Sequence, residues 1–129
     1  MIVLRDLVEL EVLQKALMGA RFGDSPSDPS LIASPYLAVI HSSIVDEIIA
    51  AHRSDAKEGP ASRWEKWRVM SKQRHEWDVI VHRLASPEMG WKNLSLAGRR
   101  DVVLTCLQPF EISDELLGEM VAEIDRLTG

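Results

Sequence analysis

The chain has 129 residues, 46% hydrophobic and 27% charged, enough for one globular domain that buries roughly 65–70% of its unfolded surface without staples. A formal net charge of −5 argues against generic affinity for nucleic acid, which draws on an excess of lysine and arginine. The single cysteine, Cys106, excludes an intrachain disulfide and a cysteine-based zinc site, and no apolar run approaches the ~20 residues that span a bilayer.

Residues 2–19 place Val3, Leu7, Leu10, Leu13, Leu17 and Met18 at spacings that give one helical face, closed by Gly19 and Gly23. Charges at Arg5, Asp6, Glu9 and Glu11 argue against a secretory signal peptide, so a reducing cytoplasm is the expected location. Residues 20–34 carry proline, serine and aspartate and read as a long loop, of a length that suits a mobile segment or the cover of a site. Ser34-Pro35 then starts a helix over 35–54, because serine caps free N–H groups and proline lacks the donor that would go unpaired. Its apolar stripe is Leu37, Ile40, Ile44, Ile48 and Ala51. AKEGPA at 56–61 reads as a turn, and Ser62 with Glu65 reads as a capping box that opens a helix over 62–85, stopped by Ser86-Pro87. After a loop, a helix over 95–108 carries Leu96, Val102, Val103, Cys106 and Leu107 inward, with Arg99 and Arg100 outward. Ser113 caps a last helix over 113–128 with a clean apolar face. These elements predict an all-α, single-domain bundle of about five helices.

The segment 62–85 concentrates three of the four tryptophans and two of the four histidines. At 100° per residue, Trp67 and Trp77 fall on a broad apolar face and are expected in the core. The opposite face carries Trp64, Arg68, His75, Asp78 and His82. Trp91 sits between a glycine and a lysine in a predicted loop, where an aromatic side chain suits either a lid on the core or an anchor for a partner. The expected contact set is therefore Trp64, Arg68, His75, His82 and Trp91. Residues 57–83 carry seven basic and four acidic side chains, whereas 111–129 carry six acidic and one basic. That asymmetry predicts that the third helix packs beside the last one.

Two chemical alternatives use the same row. His75, Asp78 and His82, at i, i+3 and i+7, could converge on a metal ion, with His41 or His52 from the preceding helix. Arg68 and His75, separated by six residues, form a spacing that resembles the R-x4–6-H motif of HEPN-type ribonucleases, small all-α proteins that act as dimers. The resemblance implies a shared phosphodiester-cleavage site in which Arg68 and His75 are the catalytic pair. No phosphate-binding glycine motif and no cofactor signature is present. With no further catalytic pattern, the expectation is a non-enzymatic interaction module of regulatory, inhibitor or immunity type. It would bind another protein or a second copy of itself, with neither nucleic acid nor membrane as partner.

Overall fold

The computed structural model describes residues 6–23 and 29–129, so the expectation that places Val3 and the helix start at residue 2 lies outside the described residues. Among the described residues there are six α-helices: α1 (Leu7–Phe22), α2 (Pro35–Ser54), α3 (Glu58–Trp67), α4 (His75–Ala85), α5 (Leu96–Leu107) and α6 (Asp114–Thr128). Short 3-10 turns occupy Pro29–Leu31, Pro87–Met89 and Trp91–Asn93. The all-α, single-domain expectation holds, with more helices than predicted.

Four helix starts follow from local chemistry. Asp6, Ser34, Ser95 and Ser113 each accept a hydrogen bond from the backbone N–H three residues on, at 2.9–3.2 Å. The bounds of α2 are those read from the sequence, and α6 differs by one residue at its start. The buried side of α2, however, is Ala38, His41, Ile44, Val45, Ile48, Ile49 and His52, and Ile40 is 48% exposed. The stripe is rotated because two imidazoles face inward, a polarity that an apolar periodicity does not detect.

The expected single helix over 62–85 is instead two helices. The helical backbone ends at Trp67 although no glycine or proline stands there, because the chain at 68–70 is paired elsewhere. Glu111 N–H donates to Arg68 O at 2.6 Å and Met70 N–H donates to Glu111 O at 2.7 Å, which forms an isolated parallel bridge between Val69 and Glu111. The start also moves. α3 begins at Glu58, inside the predicted turn, and Ser62 donates to Glu58 rather than capping a helix. Glu65 is drawn into an ion pair with Arg53. α2 closes through Ala56, which lies in the left-handed region at φ +58°, with Lys57 N–H reaching His52 O at 2.8 Å.

Packing divides into a larger core under α4, α5 and α6 and two smaller clusters between α1, α2 and α3. The larger core holds Trp77, Ile80, Leu84, Trp91, Leu107, Met120 and Ile124, joined by Phe22 from α1 and Ile32. Trp67 bridges the parts, packed against Trp64 at 5.1 Å and Phe110 at 4.9 Å between ring centroids. The charge asymmetry resolves as expected: Lys72 pairs with Glu119 at 2.7 Å, and Trp77 donates its indole N–H to Glu123 at 2.9 Å.

Arg21 joins the two halves. Its side chain is fully buried and carries its charge to backbone carbonyls: Thr105 O at 3.2 Å, Cys106 O at 3.3 Å, Gln108 O, and Ile32 O at 3.1 Å. The first three are free acceptors at the C-terminal end of α5, where the helix dipole is negative. Desolvation lowers the Arg21 pKa to about 10, which still leaves the guanidinium charged at neutral pH. The same burial pushes the Cys106 thiol up to about 12, so it stays protonated and inert.

Two outcomes follow. Arg21→Met removes every donor from those acceptors and should cost about 3 kcal/mol in urea unfolding; a loss below ~1 kcal/mol would show that the clamp contributes little. Ala56→Gly relieves a left-handed alanine at the end of α2 and should raise stability by about 1 kcal/mol, read as a higher urea midpoint at unchanged slope.

Candidate functional site

The five expected contact residues do not form one row. Arg68 is turned inward and only 8% exposed. Its Nη1 donates to Asp46 at 2.6 Å and its Nε to Pro109 O at 3.2 Å. Arg68 therefore lies in the loop after α3, and His75 is the first residue of α4, so the common face required of an Arg68–His75 pair does not form. Trp91 is 2% exposed and belongs to the core, with its indole N–H donated to Asp125 at 2.8 Å and the Arg99 guanidinium over its ring at 5.5 Å. It acts as the lid on the core rather than as a free anchor. Arg99, expected outward, is held there by Asp125 at 2.9 Å.

His75, Asp78 and His82 remain exposed along α4 and border a depression of about 290 Å³ with Gly23, Val79 and Arg83. His82 Nδ1 lies 2.8 Å from the Asp78 backbone carbonyl, which turns the ring onto its own helix. Among the described residues no group of three or more histidine, cysteine, aspartate or glutamate side chains is placed to hold a metal ion, so the alternative set His75, Asp78 and His82 does not assemble.

Trp64 leads to a different place. It is half-buried and lines a cleft of about 510 Å³ between α1, α2 and α3, with Glu11, Gln14, His52, Pro60, Arg63 and Trp67. The α3 helix sets this geometry. Pro60, Arg63, Trp64 and Trp67 follow at three- and four-residue spacing, so all four fall on one side. Trp64 and Trp67 meet edge to face at 73° between ring planes; both pack against the Val45, Ile49 and Ala61 cluster, and Trp64 also packs against Leu10, Ile44 and Ile48. From α2, His52 presents Nε2 at 3.6 Å from the Glu11 carboxylate, longer than a hydrogen bond, and its buried Nδ1 has no hydrogen-bond partner among the described residues.

The four indole N–H groups separate into two kinds. Those of Trp77 and Trp91 are donated to carboxylates of α6. Those of Trp64 and Trp67 have no acceptor among the described residues, and neither does the Arg63 guanidinium, which lies back toward Gly59. Around Arg63 the other arginines are engaged: Arg53 with Glu58 and Glu65, Arg68 with Asp46, Arg74 with Glu76 and the carbonyls of Trp67 and Val69.

Behind the cleft a polar chain runs into the core. Gln14 accepts from His41 Nε2 at 2.5 Å, and His41 Nδ1 accepts from Arg21 Nη1 at 3.0 Å. Because arginine can only donate, the imidazole is neutral with its proton on Nε2. Burial first, and then the charges of Arg21 and Arg68, hold the His41 pKa well below the ordinary imidazole range, at about 3. Sequence periodicity missed Gln14, His41 and His52 as inward residues. Only the near-alignment of His41 and His52 on one helix side pointed to them.

No protein-family model, curated protein or solved structure matches this chain.

A folded His41 pKa of about 3 against 6.5 in the unfolded chain means that the unfolded state binds the extra proton first. The associated stability is complete above pH 6.5 and is lost as pH falls toward 3. Between pH 7.5 and 5, where carboxylates stay ionised, it should fall by about 2 kcal/mol. His41→Gln should flatten this part of the urea-stability profile relative to wild type; parallel profiles would show that His41 is not the group responsible.

Proposed function

We propose that this protein is a non-enzymatic interaction module and that its contact site is the cleft between α1, α2 and α3, centred on Trp64. The single observation that carries this reading is the cleft itself: about 510 Å³, walled by two tryptophans and a proline, whose lining residues carry donors unmatched among the described residues. Its size and mixed lining are those of a site that seats a side chain or a small group, with apolar walls for affinity and a few polar groups for orientation. Tryptophan and arginine are also the residue types that dominate binding energy when a partner desolvates them.

The remaining surface argues for the same class. Of the seven cations of the 57–83 segment, Arg68, Lys72 and Arg74 pair with acidic side chains and Arg83 with backbone carbonyls, which reduces the basic surface that a nucleic acid would need. No helix among the described residues is long and apolar enough to cross a membrane. The ribonuclease alternative loses support because Arg68 is consumed by Asp46 and Pro109 O. A protein surface that inserts one apolar side chain between Trp64 and Pro60 fits what is left, whether it comes from another protein or a second copy of the chain.

The test is selection of binders from a random peptide library displayed on phage, followed by mapping on ¹⁵N-labelled protein. Enriched peptides should shift the indole N–H signals of Trp64 and Trp67 and leave those of Trp77 and Trp91 in place. Failure to enrich any peptide, or shifts confined to the His75–His82 side of α4, would reject the cleft as the contact site.

A further inference from the structure

The unmatched groups of the cleft are unequal in sign. Three residues of the lining carry donors that have no acceptor among the described residues: Arg63 with its guanidinium, and Trp64 and Trp67 with their indole N–H groups. The one carboxylate in the lining, Glu11, already faces His52 Nε2 at 3.6 Å. The side chain of Gln14 has its carbonyl oxygen taken by His41. Half-buried indole N–H groups ordinarily find an acceptor, as those of Trp77 and Trp91 do with Glu123 and Asp125. Both of those acceptors are carboxylates, so the protein itself uses the pairing that the cleft leaves open.

Resting on the reading of this cleft as the contact site, we infer that its occupant is an acidic peptide segment of a partner protein, in which a carboxylate stands beside an apolar side chain. The carboxylate takes the Arg63 guanidinium and an indole N–H, and the apolar side chain lies against the ring faces of Trp64 and Trp67. Arginine suits this role because its planar fork matches both oxygens of a carboxylate, and charge-assisted bonds of this kind are about twice as strong as neutral ones. A cationic segment is disfavoured on the side of the cleft where it would meet the Arg63 charge. Arg63 is exposed and has no ion-pair partner among the described residues, so its charge is available without dismantling the fold.

The experiment titrates three capped dipeptide amides, N-acetyl-Phe-Glu, N-acetyl-Phe-Gln and N-acetyl-Phe-Lys, into the full chain while the tryptophan indole N–H signals are followed by NMR. The glutamate peptide should bind about threefold to fivefold more tightly than the glutamine peptide, as a partly exposed ion pair allows, and the lysine peptide should be the weakest. The preference should shrink with added salt and vanish in Arg63→Gln, whose melting temperature should stay near wild type because the position is exposed. Equal binding of the glutamate and glutamine peptides, tighter binding of the lysine peptide, a preference that survives Arg63→Gln, or no response at Trp64 and Trp67 to any of the three would overturn the inference. Library-selected peptides that still map to the cleft in those cases would leave the contact site standing and remove only its acidic specificity.

Discussion

The architecture depends on one buried cation whose partners among the described residues are backbone carbonyls and an imidazole rather than carboxylates. Arg21 leaves α1 near its end, enters the interior with no exposed surface, and finishes the C-terminus of α5 by donating to Thr105, Cys106 and Gln108 carbonyls. A lone charge in that position would be costly, but an α-helix C-terminus offers several free acceptors and a negative dipole end at once. The arrangement recurs in the fold. Arg83 reaches from α4 to the last carbonyls of α1, Arg21 O at 3.4 Å and Gly23 O at 3.2 Å, and Arg74 closes α3 through Trp67 O and Val69 O. Three helices that lack a left-handed glycine at their ends are thus finished by arginines from elsewhere in the chain. Each such cap also fixes the docking of one helix against another, so local termination and tertiary assembly are the same event.

One wall of the cleft is tied to this clamp by hydrogen bonds. Arg21 holds His41, His41 holds Gln14, and Gln14 forms part of the cleft wall. The neutral imidazole is the necessary middle member, since a protonated ring would set its charge against those of Arg21 and Arg68. On the other wall, Trp67 is gripped by Phe110 and by the Arg74 guanidinium at 5.5 Å over its ring, so the tryptophan pair is supported from behind. A site held in shape by its supporting contacts loses less entropy when an occupant arrives.

Local chemistry made α2, α5 and α6 readable, because each begins at a serine whose oxygen caps the third N–H and each has its end marked nearby. The break within 62–85 was not readable for a physical reason. Every residue from Arg68 to Arg74 tolerates a helix, and the interruption comes from Glu111, some forty residues on, taking the backbone groups of Arg68 and Met70. That single displacement dissolved the expected Trp64–Arg68–His75–His82 row, since a helical wheel assumes an unbroken rod. Trp64 keeps its helical neighbours Pro60, Arg63 and Trp67, which lie on the intact part and line the same cleft. Trp91 looked like a loop residue by its glycine and lysine neighbours, yet its ring is buried and Asp125 accepts its N–H, a partner that no local window contains.

The fate of the tryptophans therefore turns on acceptors rather than on apolar area. Trp77 and Trp91 are absorbed by the fold because α6 places Glu123 and Asp125 opposite their N–H groups. The acidic excess of residues 111–129 thus has a structural use: it pairs Lys72 and Arg99 and satisfies two indoles. On the other side of the molecule α1 and α2 bring a single carboxylate, Glu11, to the cleft, and His52 stands against it. The polarity that makes one half of the protein self-sufficient is missing from the other half. Among the described residues, Trp64, Trp67 and Arg63 have no protein acceptor for their N–H groups, the bonding capacity that the proposed acidic occupant would use.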